Sequence, residues 1–229
     1  MTTIFEKLQR ISPVLWPKYS FAVENLNLNP QLKKFFNENK DCPIFDSRSK
    51  HFNYICKEIV KENPIDYLEF GVYKGDSIRE WSGLNLHLES RFFGFNTFTG
   101  LPEDWTYSIK KGEFDLKGNI PNISDKRVKL VKGRFQDTLR PFLKDYEKKN
   151  RMVVHLDADL YSSTLYVLTQ LDPLLEKNDL VAFDEFSKVT AEFRSFVDYK
   201  LAFERDFNMI SKVSSNGWLC DQVAFALKR

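Results

Sequence analysis

The segment Ile65–Ser77, with the sequence IDYLEFGVYKGDS, decides the fold. Its first part, residues 65–70, is mainly apolar and aromatic, which predicts a buried strand. Gly71 ends this strand, and Asp76 or Ser77 is typical of the first residues of a helix. A strand, a tight turn and a helix in this order form the first unit of an α/β domain.

Similar units follow along the chain. Short apolar runs predict four more strands, at residues 92–95, 128–131, 152–156 and 180–183. Strands that alternate with helices pair in parallel through right-handed crossovers. A last pair of runs, near 210–213 and 222–227, flanks Asn216-Gly217 and predicts an antiparallel hairpin. The expected fold is α/β, a doubly wound and mostly parallel sheet with this hairpin at its C-terminal end.

The chain outside this pattern divides into an extension and a loop. Residues 1–47 carry four prolines among short aromatic patches and predict an N-terminal helical extension. Residues 48–229 are expected to form one domain. Within it, residues 106–127 are polar and show no period, and they follow the carboxyl end of the second strand, where such sheets bind ligands. A loop of this length predicts a lid over that site.

Composition narrows the class of protein. Of 229 residues, 42% are hydrophobic and 29% are charged, which is typical of a soluble globular chain. A net charge of +2 gives no indication of a nucleic-acid partner. An apolar run of about 20 residues, which a membrane span needs, is missing, and the start lacks a secretory layout, so a cytoplasmic location is expected. Three cysteines without a C-x-x-C pattern predict reduced thiols and no structural zinc.

The glycine turn after the first strand limits the kinds of ligand that this site could bind. Gly71 and Gly75 stand four residues apart, which matches neither the dinucleotide pattern G-x-G-x-x-G nor a Walker loop. A nicotinamide-dependent oxidoreductase is therefore less favoured. Backbone N–H groups at such a turn can bind a small anion such as a carboxylate. The turn could equally need glycine for its geometry alone.

Acidic side chains collect at the predicted strand ends. They are Glu69, Asp157, Asp159, Asp184 and Glu185. Burying several carboxylates together is unfavourable unless a cation, a metal or many backbone donors are present. Several of them could instead cap helices or face water, and Asp159 could be a turn residue ahead of the next helix.

Four segments of the sequence resemble a known family. They are residues 67–78, 93–103, 156–161 and 183–185. Together they are similar to class I S-adenosylmethionine-dependent methyltransferases, and most similar to the macrocin O-methyltransferase group, whose members are metal-dependent and methylate sugar hydroxyls. The likeness spans residues 48–228 and implies a Rossmann-like methyltransferase fold.

The resemblance implies a cofactor site. It places Glu69, Gly71, Tyr73, Gly75 and Ser77 around the methionine half of S-adenosylmethionine. Asn96 would meet the ribose, although the family usually has Asp there, and Phe135 would lie by the adenine. Asn supplies an acceptor and donors but no charge, so cofactor affinity is the property that this departure affects.

The resemblance also implies a metal site. Asp157, Asp184 and Glu185 are similar to the three oxygen ligands of a Mg²⁺ ion, which prefers such hard donors. Asp157 and Asp159 are the expected catalytic residues, and Asp159 or the metal would account for loss of the hydroxyl proton. Catechol methyltransferases of the same superfamily have a lysine base just after the fourth-strand aspartate, but this chain has Leu160 there.

Two functions from different classes follow. The favoured one is an S-adenosylmethionine-dependent, Mg²⁺-dependent O-methyltransferase that acts on a hydroxyl of a sugar or other polyhydroxylated small molecule, such as a glycoside. The alternative is a non-catalytic S-adenosylmethionine-binding or assembly protein that keeps the fold. A membrane or nucleic-acid partner is not expected, and a homo-oligomer is left open.

Overall fold

A computed structural model describes residues 16–106, 108–214 and 220–229, with side chains from Glu24 onward. The chain divides into two units, one ending at Lys40 and one spanning Asp41–Arg229. In its described part, the first unit is a single helix, α1 (Trp16–Glu38). The remainder of the predicted extension before Trp16 lies outside the described residues.

The second unit is built on one sheet. In the described residues its eight strands are β1 (Ile44–Phe45), β2 (Ile65–Phe70), β3 (Arg91–Asn96), β4 (Val128–Lys132), β5 (Arg151–Leu156), β6 (Leu180–Phe183), β7 (Phe207–Val213) and β8 (Val223–Leu227). Their spatial order is β1-β7-β8-β6-β5-β2-β3-β4. The strands from β6 to β4 pair in parallel, whereas β8 is antiparallel to both β6 and β7. The antiparallel C-terminal pair agrees with the predicted hairpin, whose turn at Asn216-Gly217 lies outside the described residues.

Helices connect the parallel strands. They are α2 (Arg48–Tyr54), α3 (Asp76–Leu84), α4 (Phe135–Asp145), α5 (Tyr161–Leu171) and α6 (Arg194–Ala202). A π-helical turn, Ile55–Val60, continues α2, a 3₁₀ turn, Asp172–Leu174, continues α5, and a second π-helical turn, Val189–Phe193, precedes α6. Among the described residues, no helix is both long enough and apolar enough to cross a membrane.

Burial explains why the central strands read as nearly continuous apolar runs. All residues of β2 and β6 are buried, as are the central residues of β3 and β5. Aromatic pairs hold the strands and helices together, for example Phe70 on Phe95 at 4.8 Å and Phe196 on Phe225 at 4.5 Å between ring centroids. This packing fixes the strand ends, where the predicted site residues lie.

Because of strand β1, the second unit begins earlier in the chain than the sequence predicts. The sequence predicts a boundary after residue 47, but Ile44 and Phe45 pair with Lys212 and Val213 of β7. The unit therefore begins at Asp41. A strand of two residues has too short a pattern to be recognised from sequence, and its partner lies far along the chain.

The long loop between β3 and β4 has internal structure. Thr99 and Asp115 form an antiparallel bridge, and the N–H of Leu101 donates to the Glu113 carbonyl at 2.9 Å. The loop also contacts neighbouring elements, because Arg79 of α3 donates to the Asn122 carbonyl at 3.0 Å. Several backbone amides of this segment are thus paired within the loop, and its ordered contacts begin before the predicted lid boundary at residue 106.

Candidate active site

A cavity of about 220 Å³ opens at the carboxyl ends of β2, β3 and β5. The predicted site residues that line it are Gly71, Tyr73, Asn96, Phe135, Asp157, Asp159 and Glu185. Glu69, Gly75, Ser77 and Asp184 are not among the described residues that line it. The structure thus brings seven of the predicted residues, from both the cofactor and the metal sets, to one cavity.

Gly71 is required where β2 leaves the sheet. Its φ is +105°, and a Cβ at this position would lie 1.6 Å from the carbonyl oxygen of Asp157. Its N–H donates to the Phe95 carbonyl at 3.0 Å, and the N–H of Asp157 donates to the Phe70 carbonyl at 2.9 Å. Three strand ends therefore meet at this glycine with no room for a side chain.

Tyr73 joins the glycine turn to the long loop. Its φ is +45°, a conformation that L residues rarely adopt, and its side chain is 37% exposed. Its ring packs edge-on against Phe114 of the loop, with 5.5 Å between centroids. Both rings line the cavity, together with Trp105. The loop therefore supplies an aromatic wall to the cavity.

Glu69 lies behind the turn rather than in the cavity. Its side chain is 0% exposed. One carboxylate oxygen accepts from the Ser77 hydroxyl at 2.9 Å, and the other accepts from the Tyr67 hydroxyl at 2.6 Å. Because both oxygens are used within the chain, Glu69 and Ser77 hold the start of α3 against β2.

His155 links Glu69 to Asp184. Its Nδ1 lies 3.0 Å from the Tyr67 hydroxyl and 3.4 Å from Glu69, and its Nε2 lies 3.7 Å from Asp184. Burial disfavours the imidazolium, but Asp184 and Glu69 outweigh it and raise the pKa of His155 to about 10. His155 is therefore a buried, hydrogen-bonded residue that bridges two acidic groups.

Asp184 is held by residues from distant parts of the chain. The Gln222 amide donates to its Oδ1 at 2.8 Å, and an Arg48 guanidinium nitrogen lies 3.7 Å away. Burial would raise the pKa of Asp184, but His155, Arg48 and Gln222 bring it below its usual value. Arg48 and Gln222 lie near the two ends of the domain. Because neither belongs to a local motif, the sequence alone did not reveal their contacts with Asp184.

The remaining acidic groups crowd one another. Burial and the charge of Asp184 raise the pKa of Asp157 well above its usual range. Burial, followed by the charges of Glu185 and Asp184, raises the pKa of Asp159 to about 7. Burial also raises the pKa of Glu185. This corner of the cavity therefore disfavours additional negative charge and favours a cation.

The donors suit a hard divalent cation, although they are not gathered as a formed metal centre. Carboxylate oxygens from two neighbouring strand ends are the ligand type that Mg²⁺ prefers. In the part of the chain that the structure describes, no group of three His, Cys, Asp or Glu side chains could hold a metal ion as it stands. The mutual repulsion of these carboxylates is the observation that fits a cation at this corner.

The other end of the cavity is formed by the end of β3 and the start of α4. Asn96 ends β3, and its carbonyl accepts from the N–H of Gly133 at 3.0 Å. Phe135 begins α4 and packs edge-on against Phe70 at 5.4 Å. Arg134 and Gln136 also line the cavity. Both belong to the segment 133–137, which the family resemblance implies to lie by the adenine of the cofactor.

Comparison with known families decides the assignment. Residues 42–215 match the family described as macrocin-O-methyltransferase (TylF). The chain belongs to the TylF macrocin-O-methyltransferase family. This confirms the resemblance inferred from the sequence and the prediction of an S-adenosylmethionine-dependent methyltransferase. No curated protein matches the sequence significantly.

Solved structures share the fold of this TylF family member. The O-methyltransferase NovP is 20% identical, with 80% of each chain covered and a TM-score of 0.59. The calicheamicin methyltransferase CalS11 is 18% identical, with 99% of this chain and 94% of that chain covered and a TM-score of 0.60. An O-methyltransferase from Bacillus cereus, solved with SAH, is 14% identical over 96% of each chain with a TM-score of 0.54. The predicted Rossmann-like methyltransferase fold is confirmed.

Proposed function

We propose that this TylF family member transfers the methyl group of S-adenosylmethionine to a hydroxyl of a sugar or other polyhydroxylated small molecule, with the assistance of Mg²⁺. One observation carries the proposal. A single cavity is lined by the glycine turn, by Asn96 and Phe135, and by the acidic residues Asp157 and Asp159. The residues proposed to bind the cofactor and those proposed to accept the proton thus line the same cavity.

The residues along the cavity can be assigned in turn to the parts of S-adenosylmethionine. Gly71 lines the cavity and carries no side chain, so the turn can present its backbone to a ligand. In the proposal, this turn and Tyr73 bind the methionine half, Asn96 binds the ribose and Phe135 contacts the adenine. Glu69 and Ser77 support the turn because they hydrogen bond to each other, and the N–H of Gly75 closes it by donating to the Val72 carbonyl.

Asp157, Asp184 and Glu185 are the proposed Mg²⁺ ligands. When bound, the cation would coordinate two adjacent hydroxyls of the acceptor and lower the pKa of one of them. The support is the crowding of acidic groups, since burial and the charge of Asp184 raise the pKa of Asp157. Arg48 and His155 hold Asp184 from the side of the protein.

Asp159 is the proposed proton acceptor. It lines the cavity two residues beyond Asp157, whereas Leu160 is buried and cannot accept a proton. A general base must lie within hydrogen-bonding reach of the hydroxyl that it deprotonates. Asp159 satisfies this requirement for an acceptor that occupies the acidic corner.

The aromatic wall supports a sugar-like acceptor. Trp105, Phe114 and Tyr73 present apolar ring surfaces near the acidic corner, and such a combination suits a ring that carries both C–H faces and hydroxyls. A structural neighbour, CalS11, is described as a TDP-rhamnose 3'-O-methyltransferase. A nucleotide-activated rhamnose is therefore the first probe for the acceptor.

The test is methyl transfer from labelled S-adenosylmethionine to a panel of nucleotide-activated sugars that includes TDP-rhamnose. Mg²⁺-dependent transfer is expected, with loss of at least about 100-fold in rate for Asp184→Asn and for Asp159→Asn. Asp137→Asn, at an exposed position on α4, is the matched control and should behave as wild type. Transfer that is unchanged in EDTA contradicts the metal role. SAH binding without transfer to any sugar would favour the non-catalytic alternative.

A further inference from the structure

Glu192 is a buried carboxyl group next to the acidic corner. It belongs to the π-helical turn Val189–Phe193, which precedes α6. Its side chain is 0% exposed, and one carboxylate oxygen, Oε2, accepts from the N–H of Glu185 at 2.9 Å. Glu192 thus contacts the backbone of a proposed metal ligand, although sequence analysis gave it no role.

The other carboxylate oxygen of Glu192 has no partner. Among the described residues, Oε1 is buried and makes no hydrogen bond. Leaving a buried carboxyl oxygen unpaired is unfavourable. Such an atom in a native fold requires an explanation, and a bound ion is one of the usual ones.

The surroundings of Glu192 are acidic. Its contact with the backbone of Glu185 places it beside a proposed metal ligand. Burial, followed by the charges of Asp157, Asp184 and Asp159, raises the pKa of Glu192. A divalent cation is attracted to all four groups and relieves their repulsion.

The local backbone is consistent with a functional position. π-helical turns are rare, and they occur frequently at functional sites. Val189, Ala191 and Phe193 around Glu192 are buried as well. A carboxyl group in such an apolar turn is unfavourable for folding alone.

We propose that Glu192 is a further oxygen donor to the divalent cation of Asp157, Asp184 and Glu185. Its Oε2 accepts from the backbone N–H of Glu185. Its Oε1 coordinates the cation directly or through a bound water. This proposal rests on the proposed Mg²⁺ site. It differs from that site in assigning a function to a residue outside the two strand ends.

The experiment is Mn²⁺ binding, measured by electron paramagnetic resonance for the full chain in the absence of S-adenosylmethionine. Mn²⁺ takes the same hard oxygen ligands as Mg²⁺. Glu192→Gln keeps an oxygen that can accept from Glu185 but removes the carboxylate, and it is expected to weaken Mn²⁺ binding by about 10–100-fold. Glu58→Gln, an exposed position in the other π-helical turn, is the matched control and should bind as wild type.

The outcomes separate the two proposals. Equal Mn²⁺ affinity of Glu192→Gln and wild type overturns the role of Glu192 and leaves the proposed cation site intact. Failure of the wild type to bind Mn²⁺ overturns both. SAH-induced stabilisation should be unchanged in Glu192→Gln, which shows that a loss of Mn²⁺ binding is local. If Glu192→Gln does not fold, Glu192→Asp is measured with the same two outcomes, because it shortens the side chain but keeps the charge.

Discussion

Gly71 and Gly83 show how differently two glycines of one strand–turn–helix unit respond to a methyl group. A Cβ at Gly71 would lie 1.6 Å from the Asp157 carbonyl oxygen at a φ of +105°, whereas a Cβ at Gly83 meets nothing within 4 Å. Gly71→Ala is expected to lower the free energy of unfolding by about 3 kcal/mol or more, because both the contact and the backbone conformation are unfavourable. Urea denaturation measures this change.

Gly83→Ala is the control for that experiment. The position is exposed near the end of α3, where alanine is favoured over glycine by up to about 1 kcal/mol. We expect this variant to be as stable as wild type or slightly more so. A Gly71→Ala protein as stable as Gly83→Ala would contradict the close approach of β2 and β5.

The identity of single site residues was only partly accessible from the sequence. Strand-end position and family resemblance predicted Gly71, Asn96 and Asp157, and all three line the cavity. The same reasoning could not show that Glu69 is fully buried, because burial depends on Tyr67 and on helix packing. Glu192 was missed because a π-helical turn, which a regular helical period does not reveal, carries it.

At the scale of elements, His51 ties α2 to β7. Its ring is buried, and Nε2 lies 2.7 Å from the Ser211 hydroxyl. Burial and then the charge of His155 lower the pKa of His51 to about 4. An unfolded histidine titrates near about 6.5, so the unfolded chain binds more protons than the folded one between these values.

The free energy of unfolding should therefore decrease as the pH falls through this range. The stability that neutral His51 contributes is present above about pH 6.5 and is lost as the pH falls toward 4, by up to about 3 kcal/mol. His51→Gln cannot titrate, so the stability of wild type relative to this variant should decrease over that range. Denaturant unfolding at several pH values measures it. Parallel stability curves for the two proteins would contradict a buried, neutral His51.

Elements were predictable where their pattern is long and local. The sequence located all five parallel strands. Four of them are mainly buried apolar runs, whereas β4 at the edge of the sheet is only partly buried. Strand β1 has two residues, and the hairpin-like pairing of Thr99 with Asp115 depends on contacts within a polar segment. Neither leaves a period in the sequence, so both required the structure.

At the scale of the whole molecule, the strand order of the sheet determines where the cavity lies. The order of parallel strands places the ends of β2, β3 and β5 side by side, and the turns after them supply most of the predicted site. The proposed acceptor end depends on the loop between β3 and β4, whose residues Trp105 and Phe114 contribute to the aromatic wall. Topology therefore predicts the proposed cofactor end better than the proposed acceptor end.

The most direct test of this account is thermal unfolding of the wild-type chain with increasing SAH. A ligand that binds only the folded state at about 100 times its Kd stabilises that state by about 2.7 kcal/mol. For a domain of this size, that corresponds to a rise in Tm of about 5–10 °C. We expect the Tm to rise by this amount and to increase further with SAH concentration. An unchanged Tm at millimolar SAH would contradict the assignment of the cavity as the cofactor site.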